Sequence, residues 1–344
     1  MTMSDIPSPS QGHASAPHLT LADVVPAVPR PLVDVVGLVA GIAWLAVVAA
    51  ALALEDVGDW PRTPTFAAAA GLVAATFIVL AIGSRWLGAA SRWLDRAALW
   101  LIVLGLFFTL WQLASAKLGW LPLPFFPPPQ ALLEVYLDDF PRLGVSILAS
   151  VKLQLWGYSI GAVAGFLTGV SIGWSQRAAY WVHPVLRFIG PLPAGAWLPI
   201  AFFAFPSSWS AGIFLIALAT GFPVTVLTWS GILSVNPAYY DVARTLGARS
   251  RFLVLKVAIP AALPHVFVGL FMALGTSFSV LVVAELLGVK AGLGFYMQAA
   301  QGWGDYANLY AALLVLALLC SGAVSLLFAA RDRFLSWQKD LVTW

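Results

Sequence analysis

Apolar stretches with no Asp, Glu, Lys or Arg recur along the chain at 35–54, 63–84, 97–116, 153–176, 188–240, 257–284 and 306–330. A helix needs about 20 mostly apolar residues to cross the hydrocarbon of a bilayer. Six of these windows fit one crossing each. The window at 188–240 is 53 residues long, too long for one helix, and it is interrupted at Phe205-Pro206-Ser207-Ser208-Trp209-Ser210. It therefore reads as two helices and a tight turn. The pattern predicts an all-α, polytopic membrane protein with eight transmembrane helices, and an even number places both termini on one side.

The basic residues choose which side. With the N-terminus inside, Arg30, Arg85, Arg92, Arg96, Arg177, Arg187, Arg244, Arg249, Arg251, Lys256, Arg331, Arg333 and Lys339 fall on the inner face. Arg62, Lys117, Arg142, Lys152 and Lys290 fall outside, a split of 13 against 5 that accounts for all 18 basic residues. Cytoplasmic loops carry the excess of Lys and Arg, so both termini are expected to be cytoplasmic and the acidic turn Glu55–Asp59 external. Residues 1–30 are rich in proline, with Ser, Gly and His and no apolar run. They read as a disordered cytoplasmic tail without a signal peptide.

Composition narrows the function classes. The chain is 61% hydrophobic and 10% charged, against roughly 45–50% and about 25% in soluble domains. That excludes a soluble globular enzyme and a disordered chain. A net charge of +3 is too small for a phosphate-binding surface, so no nucleic acid is expected. Cys320 is the single cysteine, which leaves no internal disulfide and no cysteine-based metal site.

Two connections are too long to be turns. The outer one runs from Lys117 to Ser146 and contains Pro127-Pro128-Pro129; the inner one runs from about Leu233 to Leu263. Long ordered connections are usually functional. In the inner loop, Asn236-Pro237 reads as an N-cap followed by proline in the first turn. A short helix over Ala238 to Leu246 follows, with Gly247 at the left-handed C-cap. A second helix is expected from Arg249 to Ala258, stopping before Ile259-Pro260. Arg244, Arg249, Arg251 and Lys256 would then be displayed on the membrane face. Composition alone leaves a docking surface and a lipid-headgroup contact equally open.

The spacing bears on that choice. Asp241-Val242-Ala243, three residues, Gly247, nine residues, Val257, one residue and Ile259-Pro260 resembles the EAA loop of ABC-importer permeases, departing from it at Asp241, Val242 and Ile259. From about Leu121 to Trp337 the chain is similar to the nitrate/sulfonate/taurine-type branch of these type I permeases. Further matching stretches are Phe126–Leu132, Pro191-Leu192-Pro193, Leu198-Pro199, Ala243–Ala248, Pro260–Pro264, Val283–Gly288 and Gly292-Leu293-Gly294. The resemblance implies a permease core over 97–344, with a cytoplasmic coupling loop at 236–260. Residues 31–96 would be a two-helix membrane extension of unassigned role.

It also implies partners. There is no Gly-x-x-x-x-Gly-Lys-Ser/Thr phosphate loop, so two separate ATPase subunits are expected, with no cofactor and no enzymatic activity on this chain. Coupling would fall to Tyr240, Asp241, Val242, Ala243, Arg244, Thr245, Leu246, Gly247, Arg249, Ile259 and Pro260, and Gly247→Trp is expected to block docking without preventing insertion. A second permease copy, most simply a homodimer, would complete the path. An extracytoplasmic substrate-binding protein would deliver solute to 117–145 and 288–307, although those segments could equally be a cap over helix ends. The setting would be the lipid bilayer of a bacterial cytoplasmic membrane. The solute would be nitrate, a sulfonate, taurine or a related small compound.

Within the spans, proline density marks Gly190 to Phe205 as pathway lining or a kinked packing element, since lipid does not tolerate unpaired backbone. Pro191, Pro193 and Pro199 are the candidates there, joined by Thr220, Thr228, Trp229 and Ser277 on the spans flanking the inner loop. Thr225 and Ser279 belong to the same polar set, any member of which can serve instead as an interhelical hydrogen bonder. Glu285 is the one acidic residue within an apolar span. A charge at mid-membrane costs roughly 2.5–3.5 kcal/mol, so it should face a cavity or an interface. Its place near the outer end also lets it reach the aqueous face, and a structural or gating role competes with substrate contact. His183 and His265 read as packing residues, and Trp60, Trp86, Trp93, Trp120, Trp303, Trp337 and Trp344 as interfacial anchors. An intramembrane enzyme would need a partner for Glu285, and an ion-coupled secondary transporter a second broken span. Neither is evident, but both stay open as alternatives.

Overall fold

The computed structural model describes residues 34–83 and 88–336, apart from the side chains of 88–96. The 1–30 tail, Arg30, Arg85, Trp86, Trp337, Lys339 and Trp344 lie outside the described residues, as do the side chains of Arg92, Trp93 and Arg96. Among the described residues every regular element is helical. In chain order these are α1 (Val35–Ala53), α2 (Thr63–Ile82), α3 (Gly88–Gln112), α4 (Pro129–Asp138), α5 (Phe140–Trp174) and α6 (Gln176–Ile189). Then come α7 (Ala194–Ala204), α8 (Ser208–Leu233), α9 (Pro237–Thr245), α10 (Ser250–Leu287), α11 (Leu293–Trp303) and α12 (Tyr306–Phe334).

Seven of these are long and apolar enough to cross a membrane: α1, α2, the Ala97–Lys117 part of α3 with its final π turn, α5, α8, α10 and α12. The eighth expected crossing corresponds to a bent helix pair. α6 and α7 pass the same test only together, bent by 89°, because Pro191 and Pro193 remove backbone donors at the junction and Gly190 sits beside them. The charge-free window beginning at 188 therefore cut this element in half. Its helix starts at Gln176 and carries Arg177, His183 and Arg187. The expected turn at Phe205–Ser210 is present, with Ser207 and Ser210 forming a capping box that opens α8.

The inner loop needs a second correction. The helix expected to end before Ile259-Pro260 does not end there. Leu253–Ala258 is π-helical, the Ile259 N–H bonds to Val254 O, and the chain runs on as α10. The wider turn absorbs Pro260, which has no N–H to contribute, so the proline does not stop the helix.

The chain divides into two compact units. One comprises residues up to Ala46 and Ala70–Leu106. Its core is Ala40, Phe77 and Ala98 with Val73, Leu80, Leu101 and Ile102 around them. Small residues permit close approach there: a Cβ on Gly41 would lie 2.6 Å from Ile78 Cγ1.

The other unit comprises Val47–Ala69 and Phe107 onward. Its centre is α5 laid against α8 and α8 against α10. Gly157, Gly161, Gly165, Gly169 and Gly173 recur every fourth residue of α5 and face α8. A Cβ at Gly161 would stand 2.4 Å from Ala217 O, and one at Gly169 2.6 Å from Thr228 Cβ. With no apolar driving force between helices in lipid, such backbone contact supplies the cohesion. Polar cross-links add to it: Gln154 Nε2 donates to Ser277 Oγ (2.7 Å) and Tyr158 OH to Leu270 O (2.8 Å). Toward the other end, Lys117 is 2% exposed and 2.9 Å from Asp56. It also donates to Ala51 O and Leu54 O, the carbonyls at the end of α1.

Candidate functional site

Three places gather the residues singled out in the sequence. The first is α9. Asn236 caps it by accepting from Ala238 N, and Pro237 occupies the first turn. Gly247 ends it at φ +82°, with Gly247 N donating to Arg244 O and Ala248 N to Ala243 O. A left-handed backbone is what glycine supplies at a helix end. The inward face of α9 is anchored. Tyr240 packs on Ile232, Ala258 and Ala262 and meets Trp174 edge-on at 5.9 Å. Burial raises the Tyr240 phenol above its ordinary pKa. The outward face is apolar and is left open by the described residues: Tyr239, Val242 and Leu246 are 63%, 60% and 83% exposed. They stand at i, i+3 and i+7, one helical stripe. Asp241 and Arg244 flank it as a 3.4 Å pair. Thr245 is exposed and its hydroxyl donates to Val242 O, and Ala243 is half-buried. Arg249 is exposed just past the turn, while Ile259 and Pro260 are half-buried where the next span begins.

The second place is the bend between α6 and α7. A cleft of about 910 Å³ opens there against α8. Pro191 and Trp229, two of the residues named for the passage, line it. Tyr180, His183, Arg187 and Phe222 also line it and were not singled out for the passage. The His183 ring stands edge-on to Trp229, 4.5 Å between centroids, a packing contact as expected. Pro193 and Pro199 are exposed at the two ends of the turn that starts α7. Periodicity could have found the missed residues, because Tyr180, His183 and Arg187 fall at i, i+3 and i+7 of one helix.

The third place is Glu285, and here the structure departs from the expected route to water. The side chain is 1% exposed. Its Oε1 accepts from Ser150 Oγ (2.7 Å) and its Oε2 from Gly294 N (2.7 Å). Ser150 Oγ in turn accepts from Leu293 N (2.8 Å). The carboxyl group and Ser150 thus satisfy one free N–H each at the opening of α11 and tie α10, α5 and α11 together. Gly292, at φ +100°, leaves the room: a Cβ there would fall 2.1 Å from Glu285 Oε1. Nothing in the sequence pointed to Ser150, 135 residues away.

Thr220, Thr228 and Ser277 are likewise wholly buried. Thr220 and Thr228 pack on Gly161 and Gly169, and Ser277 bonds Gln154 and Leu274 O. In this conformation none of the three reaches an open surface. Thr225 is buried beside them, and Ser279 is exposed and bonded to Gly275 O.

In the outer connection, the apolar-patterned stretch is helical as α4, burying Leu132 and Val135 against Ala311. Tyr296 of α11 donates to Asp139 (2.7 Å). Burial, and then this bond, push its phenol well above the usual range.

Comparison with known proteins matches residues 160–336, just over half of the chain, to the family described as binding-protein-dependent transport system inner membrane component. The chain is 33% identical over 192 residues to the bicarbonate transport system permease protein CmpB of Synechococcus elongatus. That match takes in 55% of this chain and 66% of CmpB, a little under two thirds of the relative's length. It is 29% identical over 251 residues to the nitrate import permease protein NrtB of the same organism, covering 70% of this chain and 88% of that one. Among solved structures, a chain of the inward facing MetNI methionine ABC transporter matches with a TM-score of 0.42 and 18% identity, over 56% of this chain and 93% of that one.

Proposed function

The chain belongs to the family of binding-protein-dependent transport system inner membrane components, and from that premise we propose that it is the permease subunit of an ATP-driven importer of a small solute. The observation that carries the reading is the exposed stripe Tyr239, Val242, Leu246 on a capped helix whose opposite face is anchored to the bundle. An apolar stripe presented in this way suits a groove on another protein. In the proposed complex α9 seats in a separate ATPase subunit, two per complex, with Asp241 through Gly247 and Arg249 at the contact and Tyr240 holding the helix to the bundle. Ile259 and Pro260, continuous with α10, pass the displacement into the membrane. The matching relatives carry names for bicarbonate and nitrate permeases, which supports a solute of that size class.

The distribution of basic residues supports cytoplasmic termini and a bacterial cytoplasmic-membrane location. Residues 97–344 form the permease core in this reading, and 31–96 the added pair of spans. A second copy, as a homodimer, closes the path. Pro191, Pro193, Pro199 and Trp229 face it, while Thr220, Thr228, Ser277 and Glu285 shape it from behind by holding the helices. A solute-binding protein meets the 117–145 and 288–307 segments.

Val242→Asp with Leu246→Asp tests the reading. The double variant is expected to insert and fold as the parent does, yet to lose co-purification with the ATPase and the ATP hydrolysis stimulated by the solute-binding protein. Retention of both would refute the assignment.

A further inference from the structure

The cleft at the α6–α7 bend carries more chemistry than a lining needs. α6 is strongly two-faced: Tyr180, His183 and Arg187 lie on one side and Val182, Val185 and Phe188 on the other. The polar side is turned onto α8, where Phe222, Val226 and Trp229 form the opposite wall. The bend is held close by Gly190, whose Cβ would sit 2.6 Å from the Phe222 ring. Arg187 is exposed into this space and has no ion pair among the described residues. Among the described residues no carboxylate lines the cleft. Glu285 lies elsewhere, with both oxygens occupied.

The Arg187 guanidinium and the His183 ring lie on one concave wall, no ion pair among the described residues neutralises the guanidinium, and the facing wall of Phe222, Val226 and Trp229 is apolar. A guanidinium presents a planar fork of donors that matches the oxygens of a trigonal or tetrahedral anion, and an unpaired one is a standing vacancy for such a group. The cleft also lies at the α9 end of the bundle. Trp229 is one turn from the end of α8, and Trp174, which closes α5 immediately before α6, touches Tyr240 of α9.

We propose that Arg187, assisted by His183 braced on Trp229, is the specificity-determining contact of the path, and that it selects a small oxyanion at the end of the bundle that carries α9. The inference rests on the permease reading above and adds the charge class and the residues that read it. A phospholipid headgroup offers the same oxygens, and an amphipathic helix with an arginine can lie at a bilayer surface, so the test separates the two sources.

The experiment uses the whole complex in proteoliposomes, with nitrate, bicarbonate and taurine as transported probes and Arg177→Gln as a charge-matched control on the same helix outside the cleft. ATP-dependent uptake of at least one probe is expected. Arg187→Gln should lower its rate about tenfold, the weight of one charge-assisted contact. Arg187→Lys, which keeps the charge but not the fork, should fall between Arg187→Gln and the parent, and Arg177→Gln should stay near the parent. Stimulated ATP hydrolysis should persist in Arg187→Gln. Equal losses in Arg177→Gln and Arg187→Gln would overturn the proposal. So would a loss that disappears or deepens with the fraction of anionic lipid, which would assign the cleft to headgroups. Uptake of none of the three probes by a parent complex that still hydrolyses ATP in response to its binding protein would end the oxyanion inference and leave the permease reading intact. Failure of any ATPase to co-purify would remove both.

Discussion

The α5–α8 seam and the end of α9 both depend on glycine, and for opposite reasons. Along the seam Gly157, Gly161, Gly165, Gly169 and Gly173 have ordinary helical backbones and no room for a Cβ. At the end of α9, Gly247 has nothing within 4 Å of a Cβ, but its φ of +82° is one that L side chains avoid. The seam uses absence of volume to bring two backbones into contact in lipid. The α9 terminus uses freedom of rotation to stop a helix in water and turn the chain back. One region gives up surface to gain cohesion; the other gives up cohesion and keeps its surface bare.

Substitutions should separate the two kinds of glycine, and the predicted losses of stability form a descending series. Gly161→Leu drives side-chain atoms into Ala217 O and should cost about 3 kcal/mol or more through overpacking, read as loss of folded protein in an SDS unfolding titration. Glu285→Ala leaves the Gly294 N–H and the Ser150 hydroxyl without their acceptor and should cost about 2 kcal/mol; Glu285→Gln, which retains one acceptor oxygen, should recover part of it in the same titration. Gly247→Ala should cost about 1 kcal/mol, the penalty of the left-handed backbone alone. Tyr296→Phe removes a half-buried hydroxyl that meets Asp139 and Asn308 and should cost about 1 kcal/mol or slightly less. Leu246→Asp should change stability by no more than about 0.5 kcal/mol, because the side chain touches nothing to lose. Coupled ATP hydrolysis should rank Leu246→Asp and Gly247→Ala the other way, with the exposed position showing the greater loss. If Gly247→Ala proved as disruptive as Gly161→Leu, or Leu246→Asp unfolded the bundle, the contrast between the regions would fail.

The two regions also differ in how readable they were. The cap at Asn236, the proline after it and the left-handed Gly247 could be named from the sequence because they are local: each involves residues within about one turn of the helix end. The seam was written as plainly, one glycine every fourth residue, but charge-free windows register only how apolar a segment is and not which face it buries. The same blindness made 188 look like a helix start when the element begins at Gln176 and contains two arginines. Glu285 was noticed for its charge and its surroundings were not, because Ser150 lies in another span and only the folded chain brings it within 2.7 Å. Pro260 misled in a different way. Proline signals a stop in an α-helix, and sequence gives no warning that a π stretch will carry the chain past it.

The four-residue glycine spacing has a mechanical consequence. An α-helix turns once in 3.6 residues, so a strip marked every fourth residue creeps around the axis by about 40° per step. For α8 to stay on that strip from Gly157 to Gly173 it must coil about α5 with a right-handed pitch. Two threads engaged in this way cannot slip lengthwise without backbone colliding with backbone. The pair therefore resists sliding as one unit, and relative movement of helices is left to the elements packed around it.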